Sequence, residues 1–258
     1  MAVTLQTDIS LKSVSISFDG LLAVSDLSFD VPSGAIVALI GPNGAGKTTV
    51  FNLVCGNLKA DRGTISVVGK NVTSKRSDQI ASLGIGRTFQ DCKVFEQMTV
   101  WDNVMLGMRD RTTESLVVAL RQGKGLKEAE EFKRERALEL LKDIGLDNKK
   151  DCLGCELSCG QRKLLELTRV RAFCPQVFLL DEPFAGLFPE IAQRMTCAVR
   201  DLRDSGRTVI FIEHDMKVVA DISDRAIVLN FGRMIANDTP EAVLNNPEVL
   251  NAYLGKGR

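Results

Sequence analysis

Two stretches of this chain hold residues whose types and spacing could act together on a phosphate. Gly41-Pro42-Asn43-Gly44-Ala45-Gly46-Lys47-Thr48-Thr49 fits the pattern G-x-x-x-x-G-K-[ST]. Glycines let such a loop curl until its N–H groups point inward at phosphate oxygens, and a following helix adds positive potential. Lys47 is placed to reach the terminal phosphates, and the Thr48 hydroxyl to hold Mg²⁺. A glycine-rich turn that merely contains a lysine is the plain alternative. The second stretch is Val177-Phe178-Leu179-Leu180, an apolar run ending in Asp181-Glu182-Pro183. Alone, that ending reads equally well as a helix cap. Beside a phosphate loop it reads as two carboxylates delivered to the carboxyl end of a strand, where open α/β sheets bind ligands. Asp181 would then meet Mg²⁺, directly or through water. Glu182 would orient and deprotonate an attacking water, a role worth roughly 10²- to 10⁴-fold in rate.

The elements that must position these groups follow from the hydrophobic pattern. Short β-like runs at 14–18, 23–29 and 36–40 are separated by Asp19-Gly20 and Pro32-Ser33-Gly34. A helix is expected over 47–55, with further strands at 64–68 and 84–88. After Gln90 the pattern turns helical, over 100–108, 114–120 and 126–144, the last with charge on one face and Leu138, Leu141 and Ile144 on the other. After Gly160 strands and helices alternate again: a strand at 177–180, a helix over 189–202, a strand at 208–212, a helix after Glu213 and a strand at 226–229. The expectation is an α/β core formed by about 1–90 and 160–258, split by a helical insert of about 91–159.

Composition narrows the function classes. The 258 residues are 45% hydrophobic and 26% charged, the balance of a globular protein with a sizeable core. Lys+Arg and Asp+Glu are both 33, so no basic excess exists to neutralise a nucleic-acid backbone. The opening MAVTLQTDIS lacks a basic segment followed by an apolar run, so no secretory signal is expected. The longest uncharged stretch, 31–46, is broken by Pro and Gly and is not a membrane span. Seven cysteines, an odd number, point to a reducing compartment. A single histidine excludes HExxH zinc hydrolases and any site built on two imidazoles. Cys152, Cys155 and Cys159 form C-x₂-C-x₃-C, which with a distant fourth thiolate could bind zinc or an iron–sulfur cluster. No second C-x-x-C and no neighbouring histidine completes that set.

Further motifs, in order, carry a resemblance. Leu157-Ser158-Cys159-Gly160-Gln161 resembles the L-S-G-G-Q segment of ABC-type ATPases. Gln90, ending Arg87-Thr88-Phe89-Gln90, is similar to the Q-loop glutamine, Ala185-Gly186-Leu187-Phe188-Pro189 to the D-loop, and Glu213-His214-Asp215 to the switch-histidine segment. Phe18 holds the family's usual place for the aromatic that stacks on adenine, with Val24 beside it. The resemblance spans nearly the whole chain. It implies a P-loop NTPase fold with a mixed or parallel sheet core, an N-terminal antiparallel β subdomain and an inserted helical subdomain. It also implies hydrolysis of ATP with Mg²⁺ held by Thr48, Gln90 and Asp181, with His214 sensing the γ-phosphate. Ser158, Gly160 and Gln161 would face the γ-phosphate bound by a second cassette, so that two head-to-tail cassettes bury two ATPs.

Finer features are similar to one branch. Phe18-Asp19-Gly20-Leu21-Leu22-Ala23-Val24, the Arg87-Thr88-Phe89-Gln90 segment with Val94-Phe95 and Met98-Thr99-Val100 after it, and the ending 246–255 resemble the ATP-binding subunits of branched-chain amino acid importers. That resemblance implies a cassette paired with a copy or a paralogue, docked under two membrane permeases at the cytoplasmic face and served by a periplasmic or lipid-anchored binding protein. Urea or amide import, lipid or lipopolysaccharide export, and soluble iron–sulfur assembly ATPases are the other readings. Residues 95–108 are read as either the core of the insert or a groove for a permease helix. Two departures stand out. Cys159 replaces a glycine, and Phe188 stands where Asn or Asp is usual, which removes hydrogen bonds that couple the two sites.

Overall fold

The computed structural model describes residues 6–108 and 123–254. They form two compact units, one of 6–90, 175–185 and 199–254 and one of 91–108, 123–174 and 186–198. The first unit carries two sheets. Strands β1 (Thr7–Phe18), β2 (Leu21–Pro32), β4 (Arg62–Val67) and β5 (Lys70–Asn71) make an antiparallel sheet in the order β2-β1-β4-β5. The larger sheet runs β10-β9-β3-β8-β7-β6, from β3 (Ile36–Ile40), β6 (Ile85–Arg87), β7 (Val177–Asp181), β8 (Thr208–Ile212), β9 (Arg225–Asn230) and β10 (Arg233–Asp238). Only β10 is antiparallel to its neighbour.

Every residue of β3, β7 and β8 is buried. That is why their sequences are continuous apolar runs instead of alternating ones, as parallel strands covered on both faces require. One core joins the two sheets: Ile9, Leu11 and Val14 of β1 share a cluster with Val37 and Leu39 of β3 and with Val50 and Phe51 of helix α1 (Lys47–Val54). Strands β1 and β2 run to 12 residues each, well beyond the expected 14–18 and 23–29. Register shifts at four places in their pairing, with Ser13 and Asp26 at positive φ, break the two-residue alternation by which a strand is read. Helices α2 (Ser77–Ala81), α7 (Met216–Ile222), α8 (Pro240–Leu244) and α9 (Pro247–Leu254) complete this unit.

The second unit is helical. Helices α3 (Val100–Gly107) and α4 (Gly123–Asp143) pack on α5 (Cys159–Ala172) around Val100, Val104, Leu141, Leu164 and Leu165. Thr99 starts α3 by accepting the Asp102 amide. Buried Asn103 bonds the Phe95 backbone in both directions, its Oδ1 taking the N–H at 2.9 Å and its Nδ2 donating to the carbonyl at 3.0 Å. Two expectations change. The chain returns to the first unit at Pro175, not near Gly160, because α5 packs on α3 and α4, and 186–198, including the start of α6 (Pro189–Asp204), also belongs to the second unit. The helix expected over 114–120 lies outside the described residues.

A buried carboxylate ties the edge of the first unit together. Asp8 Oδ2 accepts hydrogen bonds from Thr208 Oγ1 at 2.6 Å, Ser33 Oγ at 3.0 Å and Gln176 Nε2 at 3.3 Å. Thr208 Oγ1 in turn accepts the Gly34 N–H at 2.8 Å. One side chain therefore joins β1 of the antiparallel sheet to the start of β8 in the parallel one. Asp8→Ala takes the shared acceptor from buried Thr208 and from half-buried Ser33 and Gln176, and the expected loss is about 2–4 kcal/mol in denaturant titration. Unfolding at the wild-type midpoint would refute that role.

Candidate active site

Strand β3 ends in the glycine-rich loop. Gly41 has φ +145°, and a Cβ on it would lie 2.1 Å from the Leu229 carbonyl oxygen, so only glycine passes so close to β9. Helix α1 opens at Lys47 with no side-chain cap, which leaves its first amides for a ligand. The Lys47 ammonium donates to the carbonyls of Gly41 at 2.7 Å and Pro42 at 2.9 Å. Burial pulls its pKa below the ordinary lysine value, against the opposing fields of Glu182 and Asp181.

The loop opens onto a cavity of about 750 Å³. Asn43, Gly44, Ala45, Gly46, Lys47, Thr48 and Thr49 line it together with Gln90, Glu182 and His214 from three other segments. The two carboxylates at the end of β7 differ in environment. Asp181 is buried, and desolvation raises its pKa even though Arg87 stands beside it. Glu182 lies at the cavity with φ +50°, a left-handed conformation that non-glycine residues adopt at a cost of about 1–3 kcal/mol and that recurs at active sites. Its amide donates to Ile212 O at 3.0 Å, which fixes it to the end of β8. His214 Nε2 lies 3.2 Å from Glu182 Oε1. Behind them Glu213 accepts the Phe184 N–H at 2.8 Å and the His214 N–H at 3.2 Å.

Sequence reasoning saw Arg87 only as part of a motif. In the fold it is a buried clamp. Its Nη2 lies 3.2 Å from Asp181 Oδ2 and its Nη1 donates to Asn52 Oδ1 at 2.6 Å. Its guanidinium sits 5.7 Å from the Phe51 ring centre and 5.1 Å from that of Phe89. Next to it Thr88 bonds β7, donating its amide to Leu179 O at 3.0 Å and accepting the Asp181 amide on its hydroxyl at 3.3 Å. The strand leading to Gln90 is therefore fastened to the strand leading to Glu182.

Other expected site residues fall elsewhere. Val24 is fully buried beside Gly46, in the core beneath the phosphate loop, and is not among the cavity-lining residues. Phe18 pairs with Leu21 at the tip of the β1–β2 hairpin and is not among the cavity-lining residues. Gly41 and Pro42 contribute their carbonyls to Lys47 rather than a wall. In the second unit, Ser158 caps α5 by accepting the Gln161 amide at 3.3 Å, and Gln161 Oε1 accepts the Ser158 amide and the Lys149 ammonium, each at 3.2 Å. Gly160 faces Ile191 and Leu187, where a Cβ would come within 3.2 Å of both. Cys159 is exposed at the first position of α5, and Phe188 is 81% exposed. Among the described residues no group of three or more His, Cys, Asp or Glu is placed to hold a metal ion, and Cys152, Cys155 and Cys159 are free thiols. The run 95–108 divides between the two readings: Val100, Val104 and Gly107 are buried, whereas Phe95, Met98 and Leu106 are exposed.

Removing Arg87 strands a buried carboxylate. Arg87→Ala should cost about 3–5 kcal/mol of stability, and the double variant Arg87→Met, Asp181→Asn should cost less than Arg87→Ala alone. Equal losses in chemical denaturation would show that the pair carries no mutual energy.

Known families and proteins are similar to this chain along most of its length. A family described as ABC transporter matches residues 24–185, and one described as branched-chain amino acid ATP-binding cassette transporter matches residues 233–258. The chain is 38% identical over 249 residues to the high-affinity branched-chain amino acid transport ATP-binding protein LivG of Salmonella typhimurium, covering 96% of this chain and 98% of that one. It is 34% identical to the lipopolysaccharide export system ATP-binding protein LptB of Haemophilus influenzae, covering 96% and 97%. Its fold is similar to a solved ATP-binding cassette of an ABC transporter in the ADP conformation, with TM-score 0.82, 31% identity, and 96% and 99% of the two chains covered. A phosphate loop, two unlike carboxylates and a histidine on one parallel sheet, with these matches along the chain, place it in the ATP-binding cassette family: it is an ABC-type ATPase of the branched-chain amino acid transporter branch.

Proposed function

We propose that this cassette hydrolyses ATP to drive uptake of branched-chain or related amino acids through membrane permeases. The observation that carries the reading is the convergence of Lys47, Gln90, Glu182 and His214 on one cavity, with Glu182 and His214 3.2 Å apart. The loop amides and Lys47 bind the phosphates, and Asn43 to Thr49 line their path. Glu182 accepts a proton from the attacking water as that oxygen bonds the γ-phosphorus and the bond to the ADP oxygen breaks. Gln90 orients that water, and His214 contacts the γ-phosphate and registers its departure.

The donor set fits Mg²⁺. Thr48, Gln90 and Asp181 offer hard oxygens, too few for an all-protein cage, which suits an ion that keeps substrate phosphates and waters in its shell. Bound there, it would neutralise phosphate charge.

The second half of each site comes from a second cassette, a copy of this chain or a paralogue, arranged head to tail. Ser158, Gly160 and Gln161 at the start of α5 meet its γ-phosphate with the positive end of the helix. No described helix is long and apolar enough to cross a membrane, so the cassette reaches the bilayer through permeases, at its cytoplasmic face. Exposed Phe95, Met98 and Leu106 offer the apolar surface such a permease helix would cover. A periplasmic or lipid-anchored binding protein supplies the solute. Lipopolysaccharide export is the nearest competing reading, given LptB, and the C-terminal match to branched-chain cassettes favours import.

The test uses Glu182→Gln, which keeps nucleotide binding and blocks water activation. Purified variant should run as a monomer alone and as a dimer with MgATP, by size exclusion with light scattering, and its turnover should fall by at least about 10²-fold. Wild-type turnover in the variant would remove Glu182 from the mechanism.

A further inference from the structure

An arginine that faces a carboxylate commonly takes both of its oxygens with the two arms of the guanidinium. Arg87 does not. Its Nη2 reaches Asp181 Oδ2 at 3.2 Å, while its Nη1 donates to Asn52 Oδ1 at 2.6 Å. Asn52 belongs to α1, the helix that follows the phosphate loop, so the fork is divided between α1 and β7. Among the described residues, Asp181 Oδ1 accepts no hydrogen bond. The guanidinium is also within cation–π range of two rings, 5.7 Å from the Phe51 centroid and 5.1 Å from that of Phe89. One oxygen of the carboxylate is therefore engaged by a cation whose place is fixed, and the other is left over.

Stability alone is a weak reason for this pair. The two side chains are 9% and 4% exposed. Taking two charges out of water costs about as much as their attraction returns, and a packed apolar pair is often as stable. Arg87 Nε adds to the cost, being buried with no hydrogen bond among the described residues. A further neighbour of the guanidinium is the buried Cys55 thiol, which is only a weak acceptor. What the pair does supply is direction. Thr88 Oγ1 accepts the Asp181 amide at 3.3 Å, so adjacent residues hold the backbone and the side chain of one aspartate. Two residues beyond Thr88, Gln90 lines the cavity together with Thr48.

We propose that Arg87 is a positioning residue for the metal site: by binding Oδ2 alone, with Asn52 holding its other arm, it reserves Oδ1 of Asp181 for the divalent cation that Thr48 and Gln90 also hold. This rests on the Mg²⁺ reading above. Charge by itself gives the opposite expectation. A guanidinium beside Asp181 repels a divalent cation, so deleting it would tighten metal binding. Aiming and charge thus differ in sign, which makes the role measurable.

The test follows binding of Mn²⁺, a paramagnetic substitute for Mg²⁺, to the ADP-loaded full chain by electron paramagnetic resonance. Asn52→Ala frees the second arm to close on Oδ1 while keeping every charge. It should weaken Mn²⁺ by about tenfold and leave ADP affinity in EDTA unchanged. Arg87→Met should also weaken Mn²⁺, although it removes a positive charge. If that variant does not fold, Asn52→Ala decides alone. Unchanged or tighter Mn²⁺ in Asn52→Ala overturns the proposal, as does an equal loss of metal-free ADP, which marks general damage to the site. Tighter Mn²⁺ in Arg87→Met overturns it too, since the guanidinium then acts only through its charge. Thr48→Ala separates the two levels: if it keeps wild-type Mn²⁺ affinity, the reading of the Mg²⁺ site itself fails.

Discussion

The parallel strands at the centre of the sheet have no room for polar side chains. Strands β3, β7 and β8 are buried at every residue, with polar exceptions only at ends such as Thr208 and Asp181. All chemistry is therefore pushed to the carboxyl ends of the strands, where the chain first leaves the core. Lys47, Asp181, Glu182 and His214 collect there because nowhere closer to the sheet could solvate or pair them. Concentrating charge carries its own penalty: desolvation lowers the Lys47 pKa and raises that of Asp181. The fold answers with the carbonyls of Gly41 and Pro42 for the ammonium and with Arg87 for the carboxylate.

That arrangement explains what could be read from residues and what could not. The phosphate loop and the Asp181-Glu182 pair were legible because a buried strand writes itself as an unbroken apolar run, so the residue after it is marked by contrast. The same contrast marks Glu213 and His214 after β8. The antiparallel strands were read too short because bulges near Ser13 and Asp26 erase their alternation. Val24 was placed at the ligand by its neighbours in sequence, yet its side chain turns inward on the pleat. The limit of the helical unit was misjudged because Gly160 looks like a boundary, while α5 owes its position to packing on α3 and α4.

Arg87 carried a weaker signal. An arginine ending a short strand announces nothing until β7 is seen to end in a buried carboxylate next to it.

Glu213 has a further consequence. One of its oxygens holds the Phe184 amide, just beyond Glu182, and the other holds its own neighbour's amide at His214. The backbone next to Glu182 and the backbone of His214 are thus joined through a single buried side chain. A displacement of either segment strains one of those two hydrogen bonds. In the proposed mechanism, Glu213 therefore sets the spacing between the residue proposed to activate water and the histidine proposed to sense the phosphate.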